Sequence, residues 1–308
     1  MATISAKAVS ELRAKTGCGM MDCKKALVEA NGDFDEAIKL LREKGLAVAA
    51  KKADRIAAEG LVDILVEGDK AAMIEVNCET DFVAKNASFQ SFVKEILKLI
   101  IDNQPENVEK LNTLTMSNGM TVEAALKDKI FQIGENMSIR RFLTVNGTMS
   151  SYIHGKGTIG VIVKFDADET AVKNEGFAEM AKNIALQVAA YPNIQYVNKE
   201  SVPASVLDEE KGIIMAQLKN DPKNASKPEA IIEKIATGKL GKFYEANCLT
   251  ENAYVKDDSM TVAKYVEYCA KAFGGKIEID SFYRYEKGEG LQKREDNLGD
   301  EIAKMLNK

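Results

Sequence analysis

Leu61-Val62-Asp63-Ile64-Leu65-Val66, Glu67-Gly68-Asp69-Lys70 and Ala71-Ala72-Met73-Ile74-Glu75-Val76 read together as two β-strands joined by a tight turn. Aliphatic and β-branched side chains crowd both runs, and the Gly-Asp pair between them supplies the reversal. Past the second strand, Phe89, Phe92, Val93, Ile96, Leu97 and Ile100 recur at helical spacing and predict one apolar helix face. The unit returns 88 residues later. Ala72-Met73-Ile74 aligns with Gly160-Val161-Ile162, Lys85-Asn86-Ala87-Ser88-Phe89 with Lys173-Asn174-Glu175-Gly176-Phe177, and Lys94 and Ile96 with Lys182 and Ile184. The second copy predicts a hairpin from Ser151-Tyr152-Ile153 and Thr158 to Phe165, then a helix over about Phe177 to Ala190. Two copies are a duplication and not a solenoid, for which at least three repeats are needed. The expected class is α+β, with a core of two similar halves.

Upstream, residues 1–55 predict three small helices around glycine turns. Ser5 caps a first helix with Ala8, Val9 and Leu12 inward, stopping at Thr16-Gly17. Met20, Cys23, Ala26, Leu27 and Ala30 line a second, which ends at the left-handed signal Asn31-Gly32. Asp33, with Glu36 three residues on, starts a third, with Phe34, Ala37, Ile38 and Leu41 inward and Gly45 as its close. The Ala- and Lys-rich run from Ala47 to Ala58 is a good helix by propensity and reads as a connection.

Downstream, Val206/Leu207, Ile213/Ile214 and Leu218 make an apolar stripe broken by Asn220-Asp221-Pro222. Ser226 with Glu229 predicts a second capped helix carrying Ile231/Ile232 and Ile235, hence an antiparallel helical hairpin. Lys242 to Ala246 then reads as strand, Val262 to Ala272 as helix, Lys276 to Tyr285 as strand, and the C-terminus as a short helix. The expected domains are a bundle at 1–55, a core half at 56–145, a second half at 146–201 and 242–287, the helical hairpin inserted at 202–241, and a helical tail at 288–308.

Composition narrows the function classes. In a chain of 308 residues, a net charge of −5 argues against a dedicated nucleic-acid binder. Residues 1–55 nevertheless hold eleven Lys and Arg against eight Asp and Glu, a mildly basic head that suits an acidic protein surface or is simply a solvated face. No apolar run approaches the roughly 18 residues of a membrane span, and Met1 to Ser5 lacks the start of a secretion signal. Five scattered cysteines and one histidine predict reduced thiols, no metal site and a cytoplasmic protein. Gly155-x-Gly157-x-x-Gly160 matches a dinucleotide fingerprint as a string, but a strand and not a helix follows it. Gly238-Lys239-Leu240-Gly241-Lys242 lacks the spacer of a phosphate loop, and Arg140-Arg141 is expected to pair with surface carboxylates. No catalytic set assembles around His154, so no catalytic residue and no cofactor are expected.

Two segments carry a specific resemblance. Thr16-Gly17-Cys18-Gly19-Met20-Met21-Asp22-Cys23-Lys24-Lys25-Ala26-Leu27, followed by Asn31-Gly32-Asp33, closely resembles the N-terminal signature of the elongation factor Ts family. Glu75-Val76-Asn77-Cys78-Glu79-Thr80-Asp81-Phe82-Val83-Ala84-Lys85-Asn86 resembles its second signature, and Ile133 to Arg141 and Tyr152-Ile153-His154-Gly155 look like further family segments. Around Leu249 to Ser259, two prolines common in the family are absent, which loosens the carry-over there.

The resemblance implies a protein without chemistry of its own that promotes GDP release from the GTPase elongation factor Tu. It implies an N-terminal module similar in fold to ubiquitin-associated domains, docking through Leu12, Met20 and Met21. Thr80, Asp81, Phe82 and Val83 would form an exchange wedge beside the partner's Mg²⁺ site, with Ile133 and Gly134 nearby. His154 and Val255 would grip a more distant domain of the partner, and the helical hairpin would add partner contact or homodimer formation. An adaptor using the bundle without exchange activity is the alternative. Read from the residues alone, the methionines are ordinary core fillers, although two neighbours on one helix cannot both face inward. Phe82 by default is a core plug, yet the second copy has Asp168-Glu169-Thr170 where the first has Thr80-Asp81-Phe82. The fold unit thus does not require the aromatic ring.

Overall fold

The computed structural model describes residues 4–224 and 227–292. The chain divides into two compact units. The first is built from residues up to Thr144 together with Gly155–Thr158 and the segment from Tyr285 onward.

Helix α1 (Ala6–Thr16) starts where the Ser5 hydroxyl accepts the Ala8 N–H and stops at Gly17 in the left-handed conformation. Helix α2 (Met20–Glu29) follows, and Asn31 and Gly32, both at positive φ, turn the chain into α3 (Phe34–Lys52), capped by Asp33. Val9, Leu12, Cys23, Leu27, Ala37 and Leu41 form the bundle's core. Gly45 does not close α3, contrary to the sequence reading; the helix runs on to Lys52 and absorbs part of the expected connection. Packing carries the helix on: Gly45 lies against the Phe131 side chain, where an added Cβ would make ordinary contact at 3.4 Å, and Ala49 is buried in the same core cluster as Ile74 and Phe89.

Strands β1 (Glu59–Glu67) and β2 (Lys70–Cys78) pair from Glu59↔Cys78 to Glu67↔Lys70 around Gly68-Asp69. The one-turn helix α4 (Asp81–Ala84) leads to α5 (Ala87–Asn103), whose Phe89, Phe92, Val93, Ile96, Leu97 and Ile100 lie in the same core cluster as Leu61, Ile74 and Val76 of the hairpin. Then come α6 (Val108–Thr113), α7 (Val122–Ile133) and β3 (Met137–Asn146), which joins β2 to give the sheet order β1-β2-β3. As the central strand, β2 is buried from Ala71 to Cys78 without alternation.

The second unit repeats the plan. Strands β4 (Thr148–His154) and β5 (Ile159–Ala167), then α8 (Glu169–Val172) and α9 (Phe177–Ala190), reproduce β1, β2, α4 and α5. The match at the turn is residue for residue, since α4 begins at Asp81 and α8 at Glu169, 88 positions apart. Helices α10 (Ala204–Asn220) and α11 (Glu229–Asn247) pack on one another through Ile214, Leu218, Ile232, Ala236 and Leu240. The short ribbon β6 (Ala253–Tyr254) and β7 (Asp257–Thr261) precedes α12 (Val262–Phe273) and β8 (Ile277–Glu286). Strand β8 completes the order β4-β5-β8.

The duplication therefore reaches further than the sequence reading, which described no element between Ile101 and Ser150. Helix α7 and strand β3 recur as α12 and β8, with Thr121 and Thr261 as caps and Gly134 and Gly274 as left-handed stops. Lys242 to Ala246 is not strand but the end of α11. Tyr244 lies one turn beyond Leu240 and packs on the same apolar cluster, so helical periodicity overrides the local β-preference. Ser226, expected to cap this helix, lies outside the described residues, as does the expected terminal helix beyond residue 292. No helix among the described residues is long and apolar enough to cross a membrane.

Candidate functional site

The turn after β2 is built by hydrogen bonds that converge from distant segments. The Cys78 thiol reaches the Thr80 carbonyl at 3.0 Å, and the Thr80 hydroxyl caps α4 by accepting the Val83 N–H. Glu135, just past α7, accepts both the Thr80 N–H at 3.0 Å and its hydroxyl at 2.7 Å. Glu79 returns the bond by accepting the Asn136 N–H at 2.6 Å, while the Asn136 amide donates to the Ala53 and Arg55 carbonyls at the end of α3. Two carboxylates thus lace Glu79-Thr80 to Glu135-Asn136, and the Asn136 amide ties them to the residues just past α3.

On this base Val83 points inward, 7 % exposed, while Phe82 beside it is 79 % exposed. A phenyl ring left in water forgoes the burial energy that an apolar surrounding supplies. Asp81 pairs with Lys85 one turn on, and that hydrogen bond holds its carboxyl below the usual range. Ile133 ends α7, half-buried, and Gly134 adopts φ +88° with its carbonyl accepting the Lys52 ammonium.

Met20 and Met21 open α2 at 46 % and 60 % exposure, so neither is core. Leu12 belongs to the same expected contact set. It is fully buried among Val9, Cys23 and Leu27 and has no surface to offer. The Gln132 amide donates to the Thr16 carbonyl at 2.8 Å and Lys44 lies over the Phe131 ring, which fastens the bundle to α7. In the second unit, His154 is exposed at the end of β4 with Nδ1 3.1 Å from the Tyr152 hydroxyl. Val255, 37 % exposed, sits in the β6–β7 turn, where its N–H donates to the buried Gln187 amide at 2.6 Å.

The remaining motifs find structural roles. Gly155 and Gly157, both at positive φ, form the β4–β5 turn, and strand follows them. Arg140 and Arg141 both bind Glu75, which is fully buried on β2 and not a surface carboxylate as expected, while Arg141 also meets the exposed Glu289. All five cysteines are buried and free. Burial pushes the Cys78 thiol up to about 12 and the Cys248 thiol up to about 11. Among the described residues no three His, Cys, Asp or Glu side chains are grouped to hold a metal ion. A cavity of 430 Å³ between α5 and α7 is lined by Ser88, Glu95, Asp128 and Lys129, away from the Phe82 turn.

Sequence reasoning missed Glu79, Glu135 and Asn136 as the scaffold of the turn. The signal was present, since all three lie inside the quoted motifs, but no spacing rule says which distant segments meet.

The family model for elongation factor TS matches residues 79–289. Curated relatives extend the likeness to nearly the whole chain. The elongation factor Ts of Clostridium kluyveri is 46% identical over 310 aligned positions, covering 98% of this chain and 99% of its own. That of Clostridium botulinum is 44% identical over 99% and 100%, and that of Syntrophotalea carbinolica 44% over 98% and 99%. The chain belongs to the elongation factor Ts family. As an elongation factor Ts family member it is a translation elongation factor, and the family match includes the Thr80–Val83 turn, Ile133-Gly134, His154 and Val255.

Proposed function

We propose that the protein binds elongation factor Tu loaded with GDP and speeds loss of the nucleotide without catalysing a chemical step, as a cytoplasmic exchange factor. One observation carries the reading: Phe82 is 79 % exposed at a turn where the second repeat has Thr170. The fold does not need the ring, and its burial in a partner is worth about 1.5–3 kcal/mol. Phe82 enters between helices beside the partner's Mg²⁺ and phosphate site, Asp81 adds a fixed negative charge there, and Ile133-Gly134 supports the contact. Displaced metal-organising helices hold GDP less tightly. Because coupling between sites is reciprocal, nucleotide that rebinds expels the factor, so the result is exchange and not lasting inhibition.

Met20 and Met21 anchor the bundle on the partner's nucleotide-binding domain, while His154 and Val255 hold a second domain. The bundle resembles a ubiquitin-associated module, and its exposed methionines also favour a second reading, an adaptor without exchange activity. Stopped-flow release of a fluorescent GDP analogue from elongation factor Tu separates the two. Wild-type protein should accelerate release in a saturable way. Phe82→Ala should lower the maximal rate roughly thirtyfold, the effect of a 2 kcal/mol aromatic hot spot. Tight binding with no acceleration by the wild type would establish the adaptor.

A further inference from the structure

Glu75 is a fully buried carboxylate, and its counterpart 88 residues on is the fully buried Val163. The repeated fold accepts an apolar side chain at this position, so its partners must account for the charge, since burying an unmatched ion costs several kcal/mol. Glu75 accepts the Gly288 N–H at 2.8 Å, Arg140 at 3.0 and 3.2 Å, and Arg141 Nε at 2.7 Å. Arg141 in turn binds the Glu289 carboxylate at 3.1 Å and lies 4.0 Å over the Tyr285 ring. Arg140 also donates to the Glu289 carbonyl. Gly288 has φ +69°, and a Cβ there would stand 2.2 Å from the Ala58 carbonyl oxygen, so only glycine lets the strand of chain lie this close. Tyr285–Glu289 is therefore a clamped strap on the first unit.

The clamp fixes the residue in its middle. The Lys287 N–H donates to the Thr158 carbonyl at 2.9 Å, and its ammonium pairs with Glu59. Glu59 is the register partner of Cys78, the last residue of β2, and the Cys78 thiol bonds the Thr80 carbonyl. Asp81 and Phe82 come next. The charge of Lys287 also acts on the Asp81 carboxyl, after the nearer Lys85.

We infer that Lys287 is a positioning residue of the Thr80-Asp81-Phe82 turn, held by the clamped strap against Glu59 at the strand end from which the turn departs. Its link to exchange rests on the reading that this turn acts on elongation factor Tu. Bonds from Glu135, Cys78 and the Lys287–Glu59 pair hold the turn before the partner arrives, so less binding energy is spent on ordering it.

Two measurements on the full chain test this. Hydrogen exchange reads the positioning without any partner. In Lys287→Met the Thr80 to Ala84 amides should exchange roughly three- to tenfold faster, in the lower part of the range of coupling between neighbouring residues, with the α9 amides unchanged and Lys287→Arg close to wild type. Labelled-GDP release from elongation factor Tu reads the consequence. Lys287→Met should lower the maximal rate by a similar factor, leave the half-saturating concentration within about twofold, and add nothing in a Phe82→Ala background. Unchanged exchange at residues 80–84, failure of Lys287→Arg to restore it, or independent, multiplying effects of the two substitutions would overturn the inference. If wild-type protein itself fails to accelerate release, the proposed function falls, and the hydrogen-exchange result alone then decides the role of Lys287.

Discussion

Leu12 and the Met20-Met21 pair carry similar apolar side chains in one small bundle, yet the fold gives them opposite tasks. Leu12 is fully buried, whereas the methionines are 46 % and 60 % exposed at the start of α2. Leu12→Ala should cost about 2–5 kcal/mol, the cavity and transfer cost of truncating a core leucine, and should lower the melting of the bundle. Replacing both methionines by Ala should change stability by less than about 0.5 kcal/mol, because exposed sites contribute little. Binding to elongation factor Tu should nevertheless weaken, mainly through faster dissociation, the usual signature of a lost interface contact. Thermal melting beside dissociation kinetics separates the two residue types. A sharp fall in melting for the methionine variant would return the pair to the core.

At the scale of elements, α10 and α11 enclose a core of their own built on Ile214, Leu218, Ile232, Ala236 and Leu240. Backbone bonds join the two flanks of the pair to each other. The Gln195 and Tyr196 N–H groups donate to the Asn247 carbonyl, and the Leu249 N–H donates to the Tyr196 carbonyl. Excising residues 203–241 and bridging with glycines should leave these ties in place. Circular dichroism should then show a folded protein with reduced helix content, and exchange should persist at lower efficiency. Loss of cooperative unfolding would mean that the hairpin belongs to the core. Expected and observed boundaries agree where a cap or stop is local, as with Ser5, Gly17 and Asp33. They disagree at Gly45 and at Lys242 to Ala246, where the deciding contacts, Phe131 and the apolar cluster around Leu240, come from packing.

For the first unit as a whole, Glu75 is a tie whose strength depends on pH. Burial raises its pKa, but the Gly288 N–H, Arg140, Arg141 and Asn77 outweigh burial, so the net shift is below the ordinary 4.5. A carboxylate depressed in the folded state stabilises fully above its unfolded pKa and loses that contribution as pH falls through the folded value. Urea midpoints should therefore decline below about pH 4.5 in the wild type. Glu75→Gln should be less stable by about 3–5 kcal/mol at neutral pH, since it leaves two arginines facing a neutral group, and its decline with acid should be shallower. Equal acid slopes in the two proteins would show that Glu75 does not govern this transition.

Hydrophobic period, caps and glycine stops were enough to read the hairpin-plus-helix unit, its return at Ser151 to Ala190, and the three-helix start. These signals act over a few residues, where backbone geometry ties side-chain spacing directly to conformation. The family motifs pointed to Thr80, Asp81 and Phe82 by resemblance, and the missing aromatic in the second copy already set Phe82 apart. Tertiary structure alone decided that Phe82 faces water, that Leu12 does not, and that Glu135 holds Thr80 across 55 residues. It alone decided that Glu75 meets Gly288 across 213. Many carboxylates, arginines and backbone donors in the chain are chemically equivalent as strings. Only the register of β1, β2 and β3 and the return of the chain after β8 choose which of them meet, because ion pairs and hydrogen bonds act over a few ångströms in space regardless of separation along the chain.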